Sequence, residues 1–231
     1  MTSDYTPRAA DFAEPVPGPT CEPFLGLAQR SSGYFLIGLF ECQGGHIYNT
    51  VAILGPEGVV GRYRKRRLWQ DTDKLEGLDD LAMFEPGDLP NTIEFGGLRV
   101  GLLICWDGQS DELWEELRAS TGSARPEPAE GRNRGAQVIF YPNNRSTIEP
   151  EKLAERACSL SIPIVAVNRV GRRRIYPPLL ERTRLAIPNL IVEGDAVYYQ
   201  AFGDSAIIDA QGHILAHNRG EETLLITELD V

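Results

Sequence analysis

Apolar, often β-branched runs recur along the chain at 34–40, 48–54, 59–64, 98–106, 137–141, 162–167, 205–209 and 223–229, most of them bounded by Gly, Pro, Asn or Asp. That pattern predicts strands with at least one buried face. Helical spacing marks 21–30, 109–120 with Leu113 and Leu117 on one stripe, and 150–161 with Leu153, Ala154, Ala157 and Leu160 on another. Two strand pairs are joined by short turns, 48–54 to 59–64 through Gly55-Pro56-Glu57-Gly58 and 205–209 to 213–216 through Ala210-Gln211-Gly212, and both read as hairpins. Strands that alternate with helices in one place and follow each other directly in another predict a layered α/β protein with mixed sheets.

Two stretches break the plan. Residues 118–135 are rich in Pro, Gly, Arg and Glu with almost no apolar side chain, so an exposed loop is expected there. Residues 172–200 open on Arg172-Arg173-Arg174 and pass through Pro177-Pro178, which reads as an excursion over a site mouth or a partner surface. Neither a repeat nor a linker composition divides the chain, so residues 1–231 are expected to form one domain.

Composition narrows the function classes. The 33 acidic against 23 basic residues give a net charge of −10, which argues against nucleic acid or an anionic membrane as partner. The N-terminal residues lack the order of a secretory signal, and no run of apolar residues is long enough to span a bilayer. Cys21, Cys42, Cys105 and Cys158 are scattered, with no CxxC pair, so neither a disulfide framework nor a zinc site is expected and a reducing, cytoplasmic setting is the default. His213 and His217 stand four apart, but in a strand that spacing does not build a metal pair, and no metal or organic cofactor is expected.

One cysteine is placed differently. Cys105 closes the apolar run Leu98-Arg99-Val100-Gly101-Leu102-Leu103-Ile104 and is followed by Trp106-Asp107, so a thiol sits where a buried strand gives way to a polar turn. A small buried hydrophobe is the ordinary reading of a cysteine in such a run. A strand-end position instead suits a nucleophile. Lys65, ending the run 59–64, could bring an ammonium to the same strand-end face and stabilise a thiolate.

With these residues in view the chain resembles the nitrilase, or carbon–nitrogen hydrolase, superfamily. The resemblance is carried by Gly38-Leu39-Phe40-Glu41, Tyr48-Asn49-Thr50 and Gly58, then Tyr63-Arg64-Lys65-Arg66-Arg67-Leu68, Phe84-Glu85-Pro86-Gly87 and Gly101-Leu102-Leu103-Ile104-Cys105-Trp106-Asp107. Further along, Gly135-Ala136, Pro142-Asn143, Arg156-Ala157, Asn168-Arg169-Val170-Gly171, Gly203-Asp204-Ser205 and Glu228-Leu229-Asp230 follow in family order. The resemblance implies an αββα sandwich with two mixed sheets between helices. It also implies cysteine-dependent hydrolysis of a non-peptide C–N bond in a small amide, carbamoyl compound or nitrile through a thioester or thioimidate, and a homodimer or higher homo-oligomer. Lys65 matches the family's lysine and Cys105 its nucleophile; Trp106 through its N–H, Asn49, Asn143 and Asp80 are the candidate substrate-binding residues, and Asp107 is expected to hold the turn.

The third member of the family's Glu-Lys-Cys triad has no match. The resemblance puts that glutamate on a strand upstream of the segment corresponding to residues 10–19, so the chain reads as N-terminally shortened. A recorded start that is too late, a catalytically inactive relative kept for binding or assembly, and another carboxylate in its place, Glu41 or Asp80, are the open alternatives. Asp80 stands where relatives carry a second glutamate, one methylene longer, so a reduced reach to Lys65 is expected. Arg67 replaces a common histidine, and Ser159-Leu160 a common Glu-Asn.

Overall fold

The computed structural model describes residues 9–69, 80, 83–118, 135–145, 147–175, 190–194 and 196–231. Glycines shape its first sheet. Gly44 and Gly45, at φ 62° and 84°, reverse the chain between β1 (Phe35–Gln43) and β2 (His46–Gly55), and Gly58 at φ 116° opens β3 (Gly58–Arg64). Side chains at those φ values would be strained, which is why the turn residues are glycine. The three strands pair antiparallel in the order β1-β2-β3, and Glu14 adds a parallel bridge to Glu41.

Strand parity then gives this sheet two different faces. Thr50 lies opposite Arg64 and Leu39, and Ala52 opposite Arg62 and Ile37, so these side chains share one face with Glu41. Val51, Ile53 and Tyr63 point the other way.

The second sheet begins with a hairpin, β4 (Thr92–Phe95) and β5 (Leu98–Leu102), turned by Gly96-Gly97 at positive φ. β6 (Val138–Pro142) and β7 (Ile164–Val167) add parallel to β5, and β8 (Val170–Ile175), β9 (Leu190–Glu193), β10 (Ala196–Ile208) and β11 (Ile214–Arg219) complete eight strands. The main path runs β11-β10-β7-β6-β5-β4, with β8 and β9 both pairing antiparallel to the long β10.

Three apolar clusters fix the layers. α1 (Glu22–Ser31) brings Phe24 and Leu25 onto the Leu39 and Ala52 face of the first sheet. Val51, Ile53 and Tyr63 on its other face meet Val100, Leu102, Ile104 and Val138 of the second. The far side of the second sheet, with Ile139, Tyr141, Ile164 and Ala206, is covered by Leu113, Trp114 and Leu117 of α2 (Asp111–Arg118) and Leu153, Ala157 and Leu160 of α3 (Pro150–Leu160). Helix, sheet, sheet and helices stack in that order: an αββα sandwich whose central layer is buried on both sides.

Several expectations change. The run 98–106 does not stay extended: β5 ends at Leu102 and a 3-10 turn covers Cys105–Gln109. The 172–200 stretch is an excursion only in part, since its two ends are β8 and β10 paired with each other in register from Phe202↔Val170 to Val197↔Ile175. Residues 223–229 form no strand; Leu224 and Ile226 stay 79% exposed, and only Leu229 reaches the intersheet cluster, because no described strand offers this segment a ladder. The loop expected at 118–135 lies almost entirely outside the described residues. Among the described residues no helix is long and apolar enough to cross a membrane.

Candidate active site

Lys65 leaves β3 on the face opposite Arg64, one residue later in the alternation, and its side chain is fully buried. Its N–H donates to the Asn49 carbonyl (2.8 Å) and its carbonyl accepts from Gly87 N–H (2.8 Å), so the backbone is gripped from two sides. The second grip requires glycine, because a Cβ at residue 87 would stand 2.2 Å from the Arg64 carbonyl oxygen. The Lys65 ammonium donates to Asp80 Oδ2, which also accepts from Trp69 N–H (2.9 Å). The shorter carboxylate therefore does reach Lys65, because Asp80 is drawn in by its own N–H bond to the Trp69 carbonyl (2.9 Å). Asp80 Oδ1 is buried with no hydrogen-bond partner.

Cys105 begins the 3-10 turn with φ 48°, one of four non-glycine residues in the left-handed region among the described residues. That conformation costs an L residue about 1–2 kcal/mol. It is 4% exposed and borders the intersheet cluster. The first hydrogen bond of the turn runs from Asp107 N–H to the Ile104 carbonyl (3.0 Å), so the N–H groups of Cys105 and Trp106 precede the ladder and have no partner within the turn.

Asp107 ties the thiol turn to the lysine strand. Its Oδ1 accepts from the backbone N–H groups of Arg66 (3.1 Å) and Arg67 (2.6 Å), and its Oδ2 from Ile104 N–H (2.9 Å) and Tyr63 Oη (2.9 Å). Burial pushes the Asp107 carboxyl above the usual carboxylate range, against the pull of these donors and of nearby Lys65. Burial beside Asp107 likewise raises Tyr63. One carboxylate thus joins the residue after Lys65 to the residue before Cys105, on opposite sheets.

The parallel strands set a row across the second sheet. β5 and β6 pair with an offset of 38, as in Leu102↔Phe140, and β6 and β7 with an offset of 25, as in Pro142↔Val167. Past the strand ends the Asn143 N–H to Val167 carbonyl bond (2.7 Å) continues the β6–β7 pattern by one residue, while β5 gives way to the 3-10 turn that opens on Cys105. Carboxyl ends of parallel strands are where such sheets bind ligands. Asn143 Nδ2 donates to the Tyr141 carbonyl (2.8 Å), while its Oδ1 and that of buried Asn144 have no partner. Tyr141 donates its hydroxyl to the Cys105 carbonyl (2.7 Å), and Asn168 binds the carbonyls of Gly203 (2.7 Å) and Arg145 (3.2 Å). Trp106 and Gln109, with Arg67 and Ser110, line an open cleft of about 270 Å³ beside the turn.

The other sequence candidates fall elsewhere. Glu41 is unavailable to Lys65: it lies on the α1 face, accepting from Thr50 Oγ1 (2.8 Å), Arg62 (2.6 Å) and both Nε and Nη2 of Arg64 (2.9 and 2.7 Å). Burial alone would raise its pKa, but Arg64, Thr50 and Arg62 together hold it below the usual range. Asn49 is buried and faces the intersheet side by strand parity, and its carbonyl accepts from Lys65 N–H. His213 pairs with Asp209 (2.8 Å) and His217 with Asp204 (3.3 Å), and among the described residues no group of three potential ligands could hold a metal ion. Tyr63, Tyr141 and Asn144 were not singled out by sequence; only the polar Asn143-Asn144 doublet closing an apolar run signalled that part of the site.

Comparison with known proteins adds three findings. The family model described as "Carbon-nitrogen hydrolase" matches residues 2–123. An (R)-stereoselective amidase from Pseudomonas sp is 31% identical over 71% of this chain, and an omega-amidase from Mus musculus 27% identical over 96%. The chain spans 53% of the amidase's length and 70% of the omega-amidase's. A carbon–nitrogen hydrolase structure from Helicobacter pylori G27 superposes with a TM-score of 0.71 at 22% identity, covering 98% of this chain and 72% of that one.

Proposed function

The chain belongs to the carbon–nitrogen hydrolase family, and from that premise we propose that it hydrolyses a non-peptide C–N bond of a small amide or carbamoyl compound or nitrile, with Cys105 as nucleophile. The observation that carries the reading is the Asp107 clamp, which joins the Cys105 turn to the Lys65 strand. A thiol in a left-handed turn and a buried ammonium from the facing sheet are the parts such chemistry needs.

The Cys105 sulfur attacks the carbonyl or nitrile carbon. Negative charge developing on the substrate oxygen or nitrogen is met by the Lys65 ammonium and the Trp106 N–H, donors fixed in advance by burial and by the turn. From an amide, collapse of the tetrahedral adduct expels the amine, which takes up the proton given up by the thiol, and leaves a thioester; a nitrile instead gives a thioimidate by addition alone, with that proton on its nitrogen, and water cleaves either one. Asp80 holds Lys65 in place, Asn49 supports its backbone, and Asn143 lines the substrate side. Each hydrolytic turn also needs a base for the thiol and for water, which typically contributes about 10²–10⁴-fold. Two copies pair in this reading, as the family resemblance implies, and the four free cysteines suit a reducing compartment.

Ammonia release by the purified chain from a panel of small amides, ureido acids and nitriles tests the reading, with Cys105→Ala as the control. Turnover that disappears in Cys105→Ala supports it. A second reading, the same sandwich kept for binding or assembly without catalysis, is favoured by one observation: among the described residues the carboxylate on Lys65 is Asp80, already shared with Trp69. No ammonia from a folded protein, with Cys105 alkylated no faster than exposed Cys42, decides for that second reading.

A further inference from the structure

The second sheet carries a recess on its helix-covered face. Cys105 borders the cluster between the sheets, whereas Trp114, Tyr141 and Ile148 belong to the cluster under α2 and α3. A cavity of about 220 Å³ opens beside these three, and Arg145, Lys152 and Arg156 all reach its wall. Three cations against the one carboxylate of Glu149 are unexpected in a chain of net charge −10. Pairing accounts for two of them: Lys152 bonds Glu149 (2.9 Å), and Arg156 bonds exposed Asp111 (2.6 Å) with its guanidinium 5.5 Å from the centre of the Trp114 ring. Arg145 is the remainder. Among the described residues no carboxylate pairs with its guanidinium. Its main chain is nevertheless fixed from both sides by one buried amide, since its N–H donates to Asn168 Oδ1 (3.0 Å) and its carbonyl accepts from Asn168 Nδ2 (3.2 Å). Burial raises the pKa of the Tyr141 hydroxyl, Cys105 adds to the rise, and the Arg145 guanidinium beside it works the other way. A half-buried cation held in place without an anion of the protein is costly to keep, and an incoming anion would offset that cost.

We propose that this cavity is a second binding site, apart from the cleft beside the thiol turn, for a small organic carboxylate: Arg145 and Arg156 grip the carboxylate, and its apolar body lies against Trp114 and Ile148. Guanidinium forks bond a planar carboxylate through parallel N–H groups. The apolar part of the wall separates the site from one built for a bare inorganic anion, and the volume lies below the range that holds drug-sized molecules, so the ligand is a small one. Asp111 competes for Arg156, but its side chain is exposed and such rim pairs are weak. Arg145 has no competitor. The Cys105 thiol takes no part in the site, so the site stands whether or not the chain hydrolyses amides.

The full chain is titrated with 4-fluorobenzoate, followed by its fluorine NMR signal, with 4-fluorobenzyl alcohol as the neutral counterpart of the same shape. Saturable binding of the carboxylate in the millimolar range or tighter is expected, with the alcohol at least about 10-fold weaker because it cannot take charge-assisted hydrogen bonds. Arg145→Gln should weaken 4-fluorobenzoate about 10–100-fold. Asp111→Asn, an exposed change that leaves the fold intact, should tighten it about 2–5-fold by removing the competitor for Arg156. Cys105→Ala should bind as the parent does, which separates this site from the hydrolytic one. Inorganic phosphate should displace the carboxylate no better than sodium chloride of equal ionic strength. Absence of saturable binding up to millimolar concentration, equal affinity for the alcohol, or an affinity unmoved by both Arg145→Gln and Asp111→Asn overturns the inference. Binding lost in Cys105→Ala overturns it as well, by placing the carboxylate at the thiol, and full displacement by phosphate overturns the choice of an organic ligand.

Discussion

Replacing Lys65 with methionine should unfold the protein more readily than the loss of one surface-sized contact would suggest, because of what it leaves behind. Asp80 is fully buried, and its charge is balanced by Lys65. Removing one partner of a buried pair costs about 3–5 kcal/mol, since the other is stranded as an uncompensated charge. For a chain this size that corresponds to a fall in Tm of roughly 6–20 °C. Replacing both residues, Lys65→Met with Asp80→Leu, removes the stranded charge, and buried pairs exchanged for apolar side chains are commonly neutral or stabilising. The double variant should therefore recover most of the lost stability. Activity should not follow, because the ammonium proposed to meet the developing oxyanion is gone in both, a loss of about 10²–10³-fold in kcat. Urea unfolding of the parent, both single variants and the double variant gives the coupling energy, and ammonia release gives the catalytic arm. A double variant as unstable as Lys65→Met alone would refute the reasoning, for then Asp80 is not what makes the lysine costly to remove.

Two further outcomes follow from the same geometry. Glu41 is held below its usual pKa in the folded chain, so it binds fewer protons folded than unfolded; its contribution is complete above the unfolded carboxylate range and is lost as pH falls through the depressed folded value. Glu41→Gln should be destabilised near neutrality and show a flatter loss of stability on acidification, measured by urea midpoints from pH 7 down to 3; parallel pH curves for variant and parent would refute this. Gly108→Ala sets a Cβ 2.2 Å from the Tyr141 hydroxyl that holds the Cys105 carbonyl, an overpacking of about 1–3 kcal/mol; thiol labelling of Cys105 should slow while that of Cys158 does not change.

The sandwich itself was readable because its central layer is written in the plainest code: β6 and β7 are unbroken apolar runs and β5 is interrupted only by Arg99, as strands largely buried on both faces are. β4 escaped notice because Thr92–Phe95 is four residues long and half polar, and only its register with β5 makes it a strand. The segment 223–229 carries strand composition without a strand, for composition cannot say whether a neighbour is there to complete the ladder. At the site, Cys105 and Lys65 were legible as strand-end residues. Choosing between Glu41 and Asp80 was not, because the decision lies in parity: Glu41 is an odd-numbered neighbour on the α1 face, and its two arginines are contributed by another strand. Tyr141 and Tyr63 were hidden for a related reason, as each acts through a hydroxyl at the far end of a side chain that otherwise belongs to a core cluster.

The alternation in β3 has a hereditary consequence. Arg62 and Arg64 serve Glu41 on one side of the sheet, while Tyr63 and Lys65 serve Asp107 and Asp80 on the other. A single codon gained or lost between Gly61 and Lys65, beyond the register shift at Val59–Gly61, would exchange the two sets, driving guanidinium groups toward the thiol and the ammonium toward the helix. Lineages of this gene should thus tolerate length changes in the Pro56-Glu57 corner ahead of the strand far more readily than inside it, and within it only in twos.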